Sequence, residues 1–349
     1  MKQLGIFSED KALERLSALG DPLEQLERIM DWSIFLPIMD EIRPNKTQEG
    51  IGGRPPYDNT FVIKTFILKE MNGVSFNQLE FMANDRLTWK RFLGLGLEEK
   101  APDENTFWSW NELLVKSGRY EELFQIFKQR LEEAGVIAKK GSLVDSTFVD
   151  VPRQRISRDE REALKRKELP ERWLMPGNEN ELSQRDAEAT WAKKGNETHF
   201  GYKDHIEVDS ESKIITDFIV TPANVHDSQE ICDLIDENVT MAVADSAYSS
   251  QEIDEILRNR NPNIEILISE KGTRNHPLTE EQKERNREIA RIRARVEHVF
   301  GRMHGSMGGI VVRSIGLTRV RCSVCLKNLA YNILQYSTLV KLGHAPLLA

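Results

Sequence analysis

The chain has 349 residues, 39% hydrophobic and 30% charged, with a formal net charge of −8, enough apolar material for a real core and for two domains. No apolar stretch reaches the roughly 18 residues of a membrane span. MKQLGIFSED lacks the apolar segment of a signal peptide, and three cysteines (Cys232, Cys322, Cys325) are no disulfide framework, so the expectation is a cytoplasmic protein with no membrane partner.

The first 140 residues read as helical. Asp21-Pro22 forms an N-cap followed by proline at the first helical position, and Leu23, Leu26, Met30 and Ile34 then recur at helical spacing. Prolines and glycines mark Arg43 to Tyr57 as a loop. Asp58 caps the apolar helix FVIKTFILKEM, Ser75 and Gln78 make a capping box, and further helices start at Asp103 and near Tyr120, the last stopping at Gly135. Short helices joined by tight turns suit a helix-turn-helix reader of DNA. A plain bundle would look the same. Phe107, Trp108 and Trp110 are expected mainly in the core, with any DNA contacts on Asn105 and Ser109.

After Lys140 strand-length apolar runs appear at 142–149, 199–208, 213–221, 241–245 and 263–269. The second and third suit a hairpin turning near Asp209–Ser212. Helical patterns lie at 228–238, 249–260 and from about Thr279 to His304. This order predicts an α/β sandwich with a partly parallel sheet. Residues 151–196 are polar, with little strand pattern; they read as an insertion, partly helical around 158–168 and mobile. Cys322 and Cys325 read as small buried hydrophobes rather than zinc ligands. The acid excess argues against a nucleic-acid partner only as a total, because there is no Asp or Glu from His298 to the end.

Asp145 lies in one apolar run, Asp245 ends another, and Glu297 sits late in the long basic helix. Singly, each has an ordinary reading as a turn residue, an N-cap or a solvated helix face. Together they stand out. With the first and fourth strands adjacent and the last helix packed across them, all three carboxylates would reach one sheet edge, the usual place for sites in open α/β folds. Buried carboxylates are costly unless paired or ligating, and three together suit hard divalent cations.

These residues resemble the DDE transposases of bacterial insertion sequences, in particular the group named after insertion sequence five. The matching pieces are VDSTFV around Asp145, GYKDHIEVD (201–209), TPANVHDSQ (221–229), ADSAYSS from Asp245, RARVEHVFG around Glu297, and PDENTFW with RFLGLGL in the helical region. The resemblance spans about residues 20 to 335. It implies an RNase H-like catalytic domain over 141–340 after a helical DNA-binding domain over 1–140, with 341–349 as a tail. Asp145, Asp245 and Glu297 would be the catalytic, metal-binding triad. Related enzymes often carry a tyrosine at 290 and a lysine at 304; here Ala290 and His304 stand there.

Supporting or DNA-contact roles fall to Tyr248, Arg293, His304 and His226. Tyr248 would stack on DNA or pack in the core. Arg293 would steady Glu297 or grip a phosphate. His304 would touch a phosphate or close the helix. Asp227 would cap the turn, leaving His226 as a candidate metal ligand. Arg302, Arg313, Arg319 and Arg321 would hold DNA backbone.

The implied reaction uses two Mg²⁺ ions, for which Mn²⁺ can substitute. Water cuts the element's ends, and the freed 3′-OH ends then join target DNA. The partners are double-stranded DNA, as inverted repeats and target, and a second copy forming a homodimer on DNA. Three rivals remain at this point: a nuclease of the same fold without strand transfer, a DNA-binding regulator whose catalytic half has decayed, and a helical interaction protein with a plain α/β domain.

Overall fold

The computed structural model describes residues 8–44, 56–272 and 277–348. Most of the loop expected from Arg43 to Tyr57 therefore lies outside the described residues. The chain divides into two compact units: one runs to Val136 and resumes at Cys325, and the other is Ile137–Val324. The residues from Cys325 on belong to the helical unit.

The helical unit contains α1 (Ser8–Ala18), α2 (Pro22–Ile29), α3 (Leu36–Ile42), α4 (Asn59–Asn72), α5 (Phe76–Asp85), α6 (Leu87–Leu93), α7 (Glu104–Ser117) and α8 (Tyr120–Glu133). Their starts are capped as the sequence suggests. Asp21, Asp58 and Asp103 accept hydrogen bonds from the backbone N–H groups of Leu23, Phe61 and Thr106, and Ser75 with Gln78 closes a capping box. Gly73, Gly94 and Gly118 end their helices in the left-handed conformation. The core holds Phe35, Phe66, Phe107, Phe124 and Phe127. Trp110 is buried as expected, whereas Trp108 is 52% exposed. It shares the open face of α7 with Asn105 and Ser109, which are exposed.

The second unit is built on a six-stranded mixed sheet of β1 (Ser142–Asp150), β2 (Thr190–Lys194), β3 (Glu197–Asp209), β4 (Ile215–Pro222), β5 (Met241–Ala244) and β6 (Glu265–Ile268). β1, β5 and β6 run parallel in that order, and β3 lies antiparallel on the other side of β1. The long β3 pairs with β2 through its first part and with β4 through its second. The hairpin expected at 199–221 is present, and Asp209 ties its turn through Ser212.

Residues 151–196 hold the helix expected around 158–168 and further elements besides. They form α9 (Arg158–Lys165), α10 (Glu171–Leu174), α11 (Glu179–Ser183) and the unforeseen β2. Trp173 is 1% exposed and donates its indole N–H to Glu160, which also closes a capping box with Ser157. Buried Asp186 accepts from the Tyr202 hydroxyl at 2.6 Å and from the Gly316 N–H. One aromatic and one carboxylate thus anchor a segment whose composition alone looks solvated.

The unit continues through the short α12 (Ile231–Leu234) and α13 (Gln251–Arg260) to α14 (Glu280–His304), which starts at a Thr279–Gln282 capping box and packs against β1 and β5. The last helix, α15 (Leu317–Lys341), crosses the unit boundary. Its Cys322 and Cys325 are fully buried and in no disulfide, as small hydrophobes should be. Among the described residues no helix is long and apolar enough to cross a membrane.

Candidate active site

Adjacent parallel strands aim their C-terminal ends at the same edge. Asp145 lies midway along β1, level with the C-terminal end of β5, and Asp245 directly follows β5. Each aspartate uses one carboxylate oxygen locally. Asp145 Oδ1 accepts from the Ser146 N–H at 2.8 Å. Asp245 Oδ1 caps the following turn by accepting from the Ala247 N–H at 2.6 Å. The second oxygen of each turns to Arg293 on α14, with the guanidinium Nη2 3.5 Å from Asp145 Oδ2 and 4.0 Å from Asp245 Oδ2. Burial raises the Asp145 carboxyl above the ordinary carboxylate range and Asp245 adds to this, while the Ser146 N–H, Arg293 and Lys194 work against it.

Glu297 stands one helical turn beyond Arg293, on the same side of α14, and is exposed. Among the described residues no three His, Cys, Asp or Glu side chains lie close enough to hold a metal ion. The structure therefore gathers Asp145, Asp245 and Arg293, and it does not gather Glu297 with the two aspartates. Two carboxylate oxygens from neighbouring strands already converge on one positive group, and a third carboxylate is next along the same helix.

The remaining candidates separate clearly. Tyr248 is 1% exposed within the core of the second unit, so it packs rather than presenting a face to a base. Its hydroxyl has no hydrogen-bond partner among the described residues. Burial, with Asp227, Asp145 and Asp245 nearby, raises its pKa. His304 closes α14 and shares a 2.9 Å hydrogen bond with Thr147, two residues beyond Asp145.

The cap falls on the other of the two turn residues. Exposed His226, not Asp227, is the N-cap, its Nδ1 accepting from the Ser228 N–H. Asp227 instead faces inward, 2.7 Å from Lys203 Nζ. Burial opposes its ionisation, but Lys203 and the Ser146 hydroxyl hold its carboxyl below the usual range. Arg313 and Arg321 are exposed, and Arg302 and Arg319 are partly covered.

Sequence reasoning missed what lies beneath the site. Lys203, His205, Glu207 and Asp209 alternate along β3 and therefore share one face; the last three are no more than 2% exposed. His205 Nε2 pairs with Thr221 Oγ1 at 2.9 Å, and burial pulls its pKa down to about 4. Glu207 accepts from the Ser142 and Thr216 hydroxyls at 2.6 and 2.7 Å. The period-two polar residues of KDHIEVD were the available signal.

The model of the "Transposase DDE domain" family matches residues 138–333, and that of the "Transposase domain (DUF772)" family matches residues 11–113. Among solved structures, the chain is similar to a piggyBac transposase synaptic complex with hairpin DNA at 12% identity, covering 94% of this chain and 77% of that one, with a TM-score of 0.45. A pre-cleavage Mos1 transpososome is matched at 12% identity, over 75% of this chain and 82% of that chain, with a TM-score of 0.19. Strand order, the paired aspartates and a family match over more than half of the sequence converge: this chain belongs to the transposase DDE domain family, and its activity is DNA transposition.

Proposed function

We propose that the chain is an insertion-sequence transposase of the group named after insertion sequence five, working through an RNase H-like site in which Asp145, Asp245 and Glu297 hold divalent metal. The observation that carries this is the convergence of Asp145 Oδ2 and Asp245 Oδ2 on one cationic group. The succession of β4, β3, β1, β5 and β6, antiparallel and then parallel, supports the fold assignment.

Bound Mg²⁺ or Mn²⁺ would activate the attacking hydroxyl and stabilise the leaving 3′ oxygen. The protein's own groups position and neutralise. Asp145 supplies anionic oxygens from the middle of β1 and Asp245 from just past the end of β5. Glu297 supplies the third carboxylate. Arg293, freed from the aspartates when they ligate metal, can hold a DNA phosphate. Thr147 and His304 fasten the end of α14 to β1 and so set the position of Glu297. The same site would serve water in the first cut and the freed 3′-OH in strand transfer. In this reading the helical unit binds the inverted repeats through Asn105 and Ser109, Arg302, Arg313, Arg319 and Arg321 hold backbone, and two copies pair on DNA.

The test uses duplexes bearing the inverted repeats that flank the gene. Asp145→Ala, Asp245→Ala and Glu297→Ala should each lower cleavage and joining by about a thousandfold or more while end binding persists. Cleavage retained by any one variant removes that residue from the triad. Cleavage without joining of a pre-cut end would favour the nuclease.

A further inference from the structure

Each of the two aspartates is fixed by a backbone N–H, Asp145 by that of Ser146 and Asp245 by that of Ala247. The two anchors belong to different parts of the chain. One lies within β1, and the other is in the short helical turn Ser246–Tyr248 that follows Asp245. Successive residues of a strand point to opposite faces of its sheet. Ser146 therefore faces away from Asp145 and α14, beside its ladder partner His205. Lys203 shares that second face, where its ladder partner is Phe148.

The Lys203 ammonium grips the chain after β4 at two points. It lies 2.7 Å from Asp227 Oδ1 and donates to the Val225 carbonyl at 2.8 Å. It also stands 5.6 Å from the centre of the Phe148 ring, so the grip is rooted between β3 and β1. Both charges are largely covered, with side chains 12% and 26% exposed, so water screens the pair little. From there Asp227 reaches both anchors. Its Oδ1 is 3.9 Å from His205 Nδ1, opposite Ser146, and the Ser146 hydroxyl donates to its carboxylate. The short helix Asp227–Gln229 packs against Ser246–Tyr248, which Tyr248, 1% exposed, roots in the core.

We propose that Lys203 and Asp227 are positioning residues, an ion-pair clamp that sets the spacing of Asp145 and Asp245 by tying Ser146 and the turn Ser246–Tyr248 to one point on β3. The inference rests on the transposase reading and deepens it, since the pair acts through the aspartates rather than on the substrate. Hydrogen-bonded charges admit a narrow range of distance and angle. An apolar contact at the same place would let the two segments slide.

The experiment compares Lys203→Met, Asp227→Asn and the double variant with wild type, each as the full chain. For each, it reads single-turnover cleavage of an inverted-repeat duplex, the affinity for that duplex by anisotropy, and Tm. It also reads amide exchange at Ser146 and Ala247, with the amides of α4 as the internal standard. Each single variant strands one charge and should lose Tm, and the double variant should regain most of it. The clamp predicts that cleavage by the double variant stays about a hundredfold down, with duplex affinity unchanged and both amides exchanging faster. Cleavage that returns together with Tm marks a merely structural pair and overturns the proposal. Wild-type exchange at both amides in the double variant overturns it as well. A wild type that cuts while the double variant cuts as fast leaves the transposase reading standing and removes the clamp. A wild type that cuts nothing removes that reading, and the exchange rates then decide the clamp by themselves.

Discussion

Asp145 and Asp245 are each split in use: one oxygen satisfies a backbone N–H and so fixes the carboxylate, and the other faces Arg293. Below them, His205 is wholly buried beside Thr221, Lys203 and Asp227, and its pKa is drawn down to about 4. The sign follows. Below the unfolded-state pKa of about 6.5 the unfolded chain binds a proton that the folded chain refuses, so stability falls as pH drops from about 6.5 toward 4, by roughly 3 kcal/mol at most. Asp227, held ionised in the fold, pushes stability the same way. His205→Gln keeps a partner for Thr221 and should flatten the slope of denaturant-measured stability over that interval. An unchanged slope would show that His205 does not titrate as described.

Single residues were also where the sequence was least legible. Asp145 and Asp245 could be singled out because a carboxylate within or at the end of an apolar run is costly. That His226 rather than Asp227 caps the turn could not be read, because the approach of Lys203 from another strand decides which residue turns inward. Tyr248 and Trp108 behaved alike: helical spacing does not say which face of a turn meets the core.

At the scale of elements, local signals were reliable wherever cap and pattern coincide, as at Asp58, Ser75, Asp103 and Thr279. β2 was missed because TWAKK has no run of apolar partners, and its pairing with β3 is set by the bend at Gly201, a distant backbone contact. α6 was missed because LTWKRFL is too short for a periodicity. Gly201→Ala tests the bend. The 2.2 Å approach of the added Cβ to the Val149 carbonyl oxygen and the positive φ should cost about 3 kcal/mol or more, a Tm loss of about 6–12 °C for a unit of this size. A variant as stable as wild type would mean that the hairpin is not held by that contact.

At the scale of the whole molecule, the two-part division was visible as a change of texture after Lys140. That the chain's end rejoins the first part was not, because α15 is one continuous helix across the boundary. Leu326, Leu329, Ile333 and Tyr336 are all buried in the helical unit, and Phe127 meets Tyr336 edge-on at 6.1 Å. At about 1.5–3 kcal/mol for each large apolar side chain, their loss rivals a typical domain's total stability. A chain ending at Val324 should therefore lose helix content by circular dichroism while a fragment of residues 137–324 still unfolds cooperatively. A truncated chain with undiminished helix content would contradict the division.

The central claim is that Asp145, Asp245 and Glu297 form one metal site although Arg293 now stands between the aspartates. Calorimetric titration with Mn²⁺ in the presence of end DNA measures this most directly. Wild-type protein should bind the ion, Asp145→Ala and Asp245→Ala should abolish binding, and Glu297→Gln should weaken it by about tenfold or more. Undiminished Mn²⁺ binding by the aspartate variants would contradict the site itself, and undiminished binding by Glu297→Gln would exclude the third ligand.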